Sequence, residues 1–287
     1  MKVPNNKLSS LKSYFFESLE SINREEVKRY FSFLCNAWLG LSKTDLIINP
    51  DREISESEIL KFLYGIKDLK KNRPIQYVAG KTWFYGLELK VDEGVLIPRP
   101  ETEELVDWIV RDCRESKKLL DIGTGSGCIP LSVKSKLENL EVFGYDFSKQ
   151  ALETAEANAN SLGLVVNFEE FDILNWKSYV SPDGFDVIVS NPPYIPESDK
   201  ALMHENVLEY EPEMALFVPN ENPLVFYKSI VDYAVFNLAR PGKLFLEIHE
   251  SFGGEVIQLF NDVKNCSVEL RKDLQGKDRM IKVLFHR

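Results

Sequence analysis

Apolar residues recur at three- and four-residue steps through the first quarter of the chain. One stripe runs Leu8, Leu11, Phe15, Leu19, Ile22; a second runs Val27, Tyr30, Phe31, Leu34, Trp38; a third runs Ile59, Leu60, Leu63, Ile66, Leu69. This spacing stacks side chains on one face of a helix and predicts amphipathic helices. Ser55, followed three residues later by Glu58, has the pattern of a capping box and predicts the start of the third. Such stripes are buried only by packing against one another, so residues 1–73 are expected to form a small helical bundle. Between residues 74 and 100 the pattern becomes β-like, with turn signals at Tyr85-Gly86 and at Asp92-Glu93-Gly94, and predicts a β-hairpin linker. From residue 101 to 287 strands and helices alternate. The expected strands are Lys118–Ile122, Glu141–Tyr145, Val165–Glu170, Phe185–Ser190, Leu244–Ile248 and Met280–Phe285. Helices are expected from Cys128 and over Ala151–Leu162. Continuous apolar strands separated by helices predict an α/β, Rossmann-like domain with a mostly parallel sheet covered on both faces.

Composition narrows the function. The 287 residues carry a net charge of −10, with 44% hydrophobic and 28% charged residues, an ordinary globular balance. Residues 1–80 hold 13 Lys/Arg against 10 Asp/Glu, a balance of +3, which leaves −13 for the rest. A chain this acidic is not built to grip nucleic-acid phosphates, so no direct nucleic-acid binding is expected. The basic cluster Lys67, Lys70, Lys71 and Arg73 reads as a solvated helix end. No apolar run is long enough to span a bilayer, and the N-terminus lacks a signal-peptide core. The four cysteines, Cys35, Cys113, Cys128 and Cys266, form no CxxC pair, so neither a disulfide framework nor a zinc site is expected. The expectation is a cytoplasmic protein without membrane contact, monomeric and without a metal.

The first parallel strand runs into DIGTGSG, Asp121 to Gly127. Glycines at 123, 125 and 127 let the backbone turn tightly and approach a ligand. The position three after Gly125 is Cys128, which breaks the GxGxxG dinucleotide pattern, and no GK[ST] ending follows for a P-loop. With the Asp121 carboxylate just upstream, the loop suits a ligand bearing an ammonium group. It resembles the cofactor motif of S-adenosylmethionine-dependent methyltransferases. Asp146 and Asp172 close the second and third strands, where carboxylates can accept ribose hydroxyls and an exocyclic adenine amine.

The fourth strand runs into Asn191-Pro192-Pro193-Tyr194. Two prolines stiffen the loop and leave its carbonyls free as acceptors. The Asn191 side-chain oxygen and the Pro192 carbonyl can then both accept hydrogens from one planar NH₂ group, with Tyr194 offering a flat surface for stacking. This chemistry points to methyl transfer onto an amino or amide nitrogen, without separating adenine, guanine and glutamine acceptors.

VLIPRPETEELV (Val95–Val106), DIGTGSG, NPPYIP and DLQGKDR (Asp273–Arg279) together resemble, in order, the bacterial glutamine methyltransferases that modify peptide-chain release factors. Residues 73–91 resemble the same family's interdomain hairpin, so the likeness covers about residues 73–287. The resemblance implies a class I methyltransferase fold with S-adenosyl-L-methionine as cofactor. The substrate it implies is the glutamine amide in the Gly-Gly-Gln motif of class 1 peptide chain release factors. A glutamine of a ribosomal protein, or an amino group of DNA or ribosomal RNA, is the alternative. By the same resemblance Gly123, Thr124, Gly125, Ser126 and Gly127 line the cofactor site, with Asp146 at the ribose, Asp172 and Ile173 at the adenine, and Asn191 adjoining. Asn191 and Pro192 are the catalytic pair that holds the substrate amide, with Pro193 and Tyr194 shaping its slot. Pro98, Arg99, Pro100, Thr102 and Glu103 match the segment that covers the site, and Trp176 is a loose match to a cofactor-side aromatic. Glu250 stands where a family glutamine is expected. His204, His249 and His286 lie outside the motifs, so no histidine base is expected. The helical segment is expected to dock on the body of the release factor.

Overall fold

The computed structural model describes residues 3–178 and 184–286. The chain divides into two compact units, Met1–Lys81 with His204–Tyr210, and Thr82–Met203 with Glu211–Arg287. The expected linker at 74–100 is thus shared between the two.

The first unit contains α1 (Leu8–Ser18), α2 (Arg24–Leu39), α3 (Asp45–Ile48), α4 (Glu56–Leu69) and α5 (Ile75–Ala79). Asn23 caps α2 by accepting from the Glu25 amide, and Ser55 and Glu58 form the reciprocal capping box at α4. The three stripes meet in an aromatic core: Phe31 lies 5.4 Å from Phe15 and 5.9 Å from Phe62, and Trp38 packs edge-on to Phe62 at 5.0 Å. Leu60, read as part of the third stripe, is 50% exposed instead. The helix α5, inside the stretch expected to be β-like, has Pro74 at its N-terminal boundary and ends at Gly80, whose φ of 75° closes it.

The second unit opens with the hairpin β1 (Lys81–Phe84) and β2 (Leu87–Lys90). Its turn holds Tyr85 and Gly86 at φ of 48° and 82°, the left-handed pair that a tight hairpin requires. The second expected turn, at Asp92-Glu93-Gly94, returns no strand. Asp92 accepts from the Gly94 amide in a local loop, and Pro98 and Pro100 remove the amides that a ladder would use. Next come α6 (Pro100–Asp112), β3 (Lys118–Ile122), α7 (Cys128–Lys136), β4 (Glu141–Asp146), α8 (Lys149–Leu162), β5 (Asn167–Glu170) and β6 (Phe185–Ser190). A short parallel pair, β7 (Ile195–Pro196) and β8 (Phe217–Val218), brackets α9 (Glu205–Tyr210), which belongs to the first unit. The chain ends with α10 (Val225–Asn237), β9 (Leu238–Glu247), α11 (Gly253–Gln258), β10 (Cys266–Lys272) and β11 (Asp278–Phe285). Sequence periodicity marks neither α10 nor β10, and places the start of β9 six residues late.

The main sheet has seven strands in the order β10-β11-β9-β6-β3-β4-β5. The run from β9 to β5 is parallel, while β11 and β10 pair antiparallel at the edge. The period-2 alternation of the strands sends Leu120, Ile122, Ile188, Leu244 and Leu246 to one core, with Tyr227 and Ile230 of α10. Leu119, Val187, Val189 and Phe245 go to the other, with Leu105, Trp108 and Ile109 of α6. Both faces are thereby covered, as a buried parallel sheet needs. Among the described residues no helix is long and apolar enough to cross a membrane.

Candidate active site

From β3 the chain winds outward through β4 and β5 on one side, then resumes at β6 on the other. The carboxyl ends of β3 and β6 therefore form a switch point, the place where an open α/β sheet leaves a crevice. A cavity of about 500 Å³ occupies it. The Ser190 hydroxyl at the end of β6 donates to the Ile122 carbonyl at 2.6 Å, tying the strand that carries Asn191 to the one that carries the glycine turn.

Gly123 and Gly125 line this cavity at φ of 76° and 56°, and a Cβ at either would meet nothing within 4 Å. Backbone conformation, not crowding, demands glycine there, and the bare turn leaves open space above it. The amides of Gly123 and Thr124 donate to the Tyr145 carbonyl at 2.8 and 3.0 Å, which fastens the turn to β4. Behind the turn Asp121 is fully buried, and neither carboxylate oxygen makes a well-formed hydrogen bond; the Thr124 and Ser126 hydroxyls are likewise buried without partners. Burial pushes the Asp121 carboxyl up to about 7, Asp146 adds repulsion, and the Thr124 side chain opposes. A set of unmet acceptors beside an open glycine turn fits a ligand that brings a cation and hydrogen-bond donors.

Asp146 lines the cavity, with Oδ2 accepting from the Gly125 amide at 2.8 Å and Oδ1 from the Ser148 amide at 2.9 Å. Burial raises its carboxyl above the usual range, against these backbone bonds. Each oxygen keeps a lone pair, so the side chain is held rigidly and still able to accept. Asp172 and Ile173 lie on the same wall. Asp172 is oriented by the Leu174 amide at 2.9 Å and the Asn175 side chain at 2.6 Å. Asn191, Pro192 and Pro193 complete the wall. The cavity thus gathers Gly123, Gly125, Asp146, Asp172, Ile173, Asn191, Pro192 and Pro193. Thr124, Ser126, Gly127 and Tyr194 do not line it: Gly127 is the N-cap of α7, and Tyr194 packs edge-on with His249 at 5.9 Å. Trp176 is packed in the core against Tyr233 and Phe236, away from the cavity. The only titratable side chains on the described wall are Asp146 and Asp172.

The covering segment is fixed by two carboxylates. Arg99 pairs with the buried Glu211 at 2.6 Å, and the same Glu211 accepts from the Ile97 amide at 3.1 Å. Glu103 accepts from the Tyr85 amide at 2.6 Å and so clamps the hairpin turn. Both are structural here. Val95 and Leu96, held in this way, form part of the cavity wall.

Residues 114–277 match the family described as "Methyltransferase domain", and residues 11–80 match "PrmC N-terminal domain". A protein of Flavobacterium psychrophilum named release factor glutamine methyltransferase is 40% identical over 284 residues, 97% of this chain and 99% of that one. This chain belongs to the release factor glutamine methyltransferase family. A Bacteroides thetaiotaomicron protein of the same name is 39% identical over 275 residues, covering 96% and 99% of the two chains. A solved methyltransferase from Pyrococcus furiosus shares the fold, with a TM-score of 0.52 and 20% identity over 80% of this chain and 98% of that one.

For a member of this family, the structure adds residues that no motif marked. Glu247, at the end of β9, is 1% exposed. It accepts from the Thr102 hydroxyl at 2.7 Å and from the Tyr194 hydroxyl at 3.3 Å, and Thr102 in turn accepts from the Asn191 side-chain amide at 3.3 Å. Burial pushes the Glu247 carboxyl up to about 7, opposed by Thr102, by the charge of Arg279 and by Tyr194. Its only sequence signal is a charge inside the apolar run LFLEI. Glu250, where a glutamine was expected, forms ion pairs with Lys277 at 2.6 Å and Arg279 at 3.6 Å. Those partners come from DLQGKDR, whose Asp273 holds Arg279 at 3.1 Å. The motif is therefore the brace between β10 and β11.

Proposed function

We propose that this chain uses S-adenosylmethionine to methylate the side-chain amide nitrogen of the glutamine in the Gly-Gly-Gln motif of class 1 peptide chain release factors. One observation carries the reading: Asn191, Pro192 and Pro193 share a single cavity with the bare glycine turn and the Asp146 carboxylate. Family membership along nearly the whole chain supplies the substrate class.

When bound, S-adenosylmethionine supplies an electrophilic methyl group on a sulfonium. Gly123 and Gly125 would admit it to the backbone, Asp121 would answer its ammonium from behind the turn, Asp146 would accept from the ribose, and Asp172 with Ile173 would meet the adenine. A glutamine amide nitrogen is a weak nucleophile because its lone pair is delocalised into the carbonyl. The described wall presents acceptors and no lysine or histidine, so the work left to the protein is orientation. Asn191 Oδ1 and the Pro192 carbonyl would accept the two amide hydrogens and aim the nitrogen in line at the methyl, drawing charge from the N–H bonds. Forming the N–CH₃ bond would break the methyl–sulfonium bond, leave a neutral thioether and release one amide proton to water. The proline pair keeps those two acceptors at a fixed separation.

A slot for one amide treats every glutamine alike, so discrimination among proteins comes from contacts remote from it. The helical unit, more basic than the rest of the chain, is the surface we assign to the body of the release factor. The test of the whole reading is transfer of radiolabelled methyl with release factor, ribosomal protein and nucleic acid offered in parallel. Label is expected in the release factor alone, lost when its Gly-Gly-Gln glutamine is replaced by alanine. Label in nucleic acid alone overturns the reading.

A further inference from the structure

An asparagine amide has two unlike ends of nearly the same shape, and only the oxygen end can accept a hydrogen from a substrate NH₂. Turned the other way, Asn191 would point two donors at two donors. The choice of end is made two hydrogen bonds away, at Glu247. When Glu247 is ionised its carboxylate only accepts, so Thr102, at 2.7 Å from Oε2, then directs its hydroxyl hydrogen there. The Thr102 oxygen is then left with lone pairs alone. Asn191 at 3.3 Å must meet those lone pairs with its NH₂ end, which leaves Oδ1 as the end available to the cavity. The other Glu247 oxygen holds the Tyr194 hydroxyl at 3.3 Å, so one carboxylate braces both ends of the tetrapeptide. Its backbone is fixed as well, the Glu247 carbonyl accepting from the Tyr227 hydroxyl at 3.1 Å.

We infer that Glu247 and Thr102 are positioning residues for methyl transfer: together they dictate which end of the Asn191 amide faces the substrate. The inference rests on the reading that Asn191 holds the glutamine amide. Neither residue lines the cavity, so neither is expected to govern cofactor binding.

The test uses the full chain with intact release factor as substrate, measuring kcat, KM for the factor, and cofactor affinity by calorimetry. Thr102→Val keeps the shape and removes the hydroxyl; kcat should fall about 10- to 100-fold, with KM and cofactor affinity within about threefold of wild type. Thr102→Ser restores the hydroxyl and should recover most of the turnover that Thr102→Val loses. Glu247→Leu removes the acceptor at the head of the chain and should also lower kcat. Because the two act in series, the double variant Thr102→Val/Glu247→Leu should be no slower than the worse single variant. Wild-type kcat in Thr102→Val, equal loss in the Ser and Val variants, or losses that multiply in the double variant would each overturn the inference. Cofactor affinity falling in step with turnover would do so too. A wild-type chain that transfers no methyl to the factor defeats the functional reading itself, and is told apart by that control.

Discussion

The carboxylates buried around this site are satisfied differently. Glu247 holds two hydroxyls, whereas Asp121 has no well-formed partner. Asp146 lies between these extremes, anchored by two amides and still able to accept. Asp146→Ala should weaken S-adenosylmethionine binding by about 1–3 kcal/mol in calorimetry, the cost of an unmade hydrogen bond to a charged group; unchanged affinity removes it from the site. Asn191→Ala should lower turnover by about 10²-fold or more while melting temperature and cofactor affinity stay near wild type. The Glu247 carboxyl, raised from 4.5 to about 7, makes a prediction about pH. A raised acid holds its proton more tightly folded than unfolded, so its contribution to stability is present below 4.5 and is lost as pH rises through about 7. The groups facing it are Thr102, Tyr194, Arg279 and Glu101, and Glu247→Gln changes none of them. The melting temperature of wild type relative to Glu247→Gln should therefore decline between pH 5 and pH 8, and a flat difference refutes the shift. The placing of contiguous motifs such as DIGTGSG and NPPY at the ends of neighbouring strands is legible in the sequence. Glu247 is not, because its partners Thr102 and Tyr194 lie 145 and 53 residues away in the chain.

At the scale of elements, legibility followed locality. The box of Ser55 and Glu58 lies within four residues and forms as read, with the Ser55 amide 2.7 Å from Glu58 Oε2. Ser55→Ala should cost about 1 kcal/mol of stability, seen as a shifted denaturant midpoint at constant slope. The parallel strands were legible because a strand buried on both faces must be apolar throughout. Edge strand β10 was not: with one side unpaired, it alternates Ser267, Glu269 and Arg271 with half-buried Val268 and Leu270, a weak signal in a charged chain. Helix α5 escaped notice because five residues carry no periodicity, and only Pro74 and Gly80 mark its ends. The second turn, at Asp92, brings no strand, since a turn signal says where a chain bends and not whether it returns as a strand.

For the whole molecule, selectivity is the property at issue. If contacts remote from the slot select the release factor, a short Gly-Gly-Gln peptide should be methylated with a kcat/KM lower than that of the intact factor by about 10²-fold or more. Equal values for peptide and factor would leave the helical unit without a role in recognition. That unit has an unusual membership, because Glu205–Tyr210 joins the first 81 residues, and the Tyr210 hydroxyl reaches the Lys71 carbonyl at 2.8 Å. Protein synthesis is directional, so the helices at the start of the chain leave the ribosome first. The piece that completes them is made only after Met203, when β3 to β6 of the other unit have already been translated. At about 5–20 residues per second, the interval is on the order of ten seconds. The part of this enzyme that is born first therefore waits unfinished through that interval, and a nascent chain stalled before residue 204 would hold it incomplete.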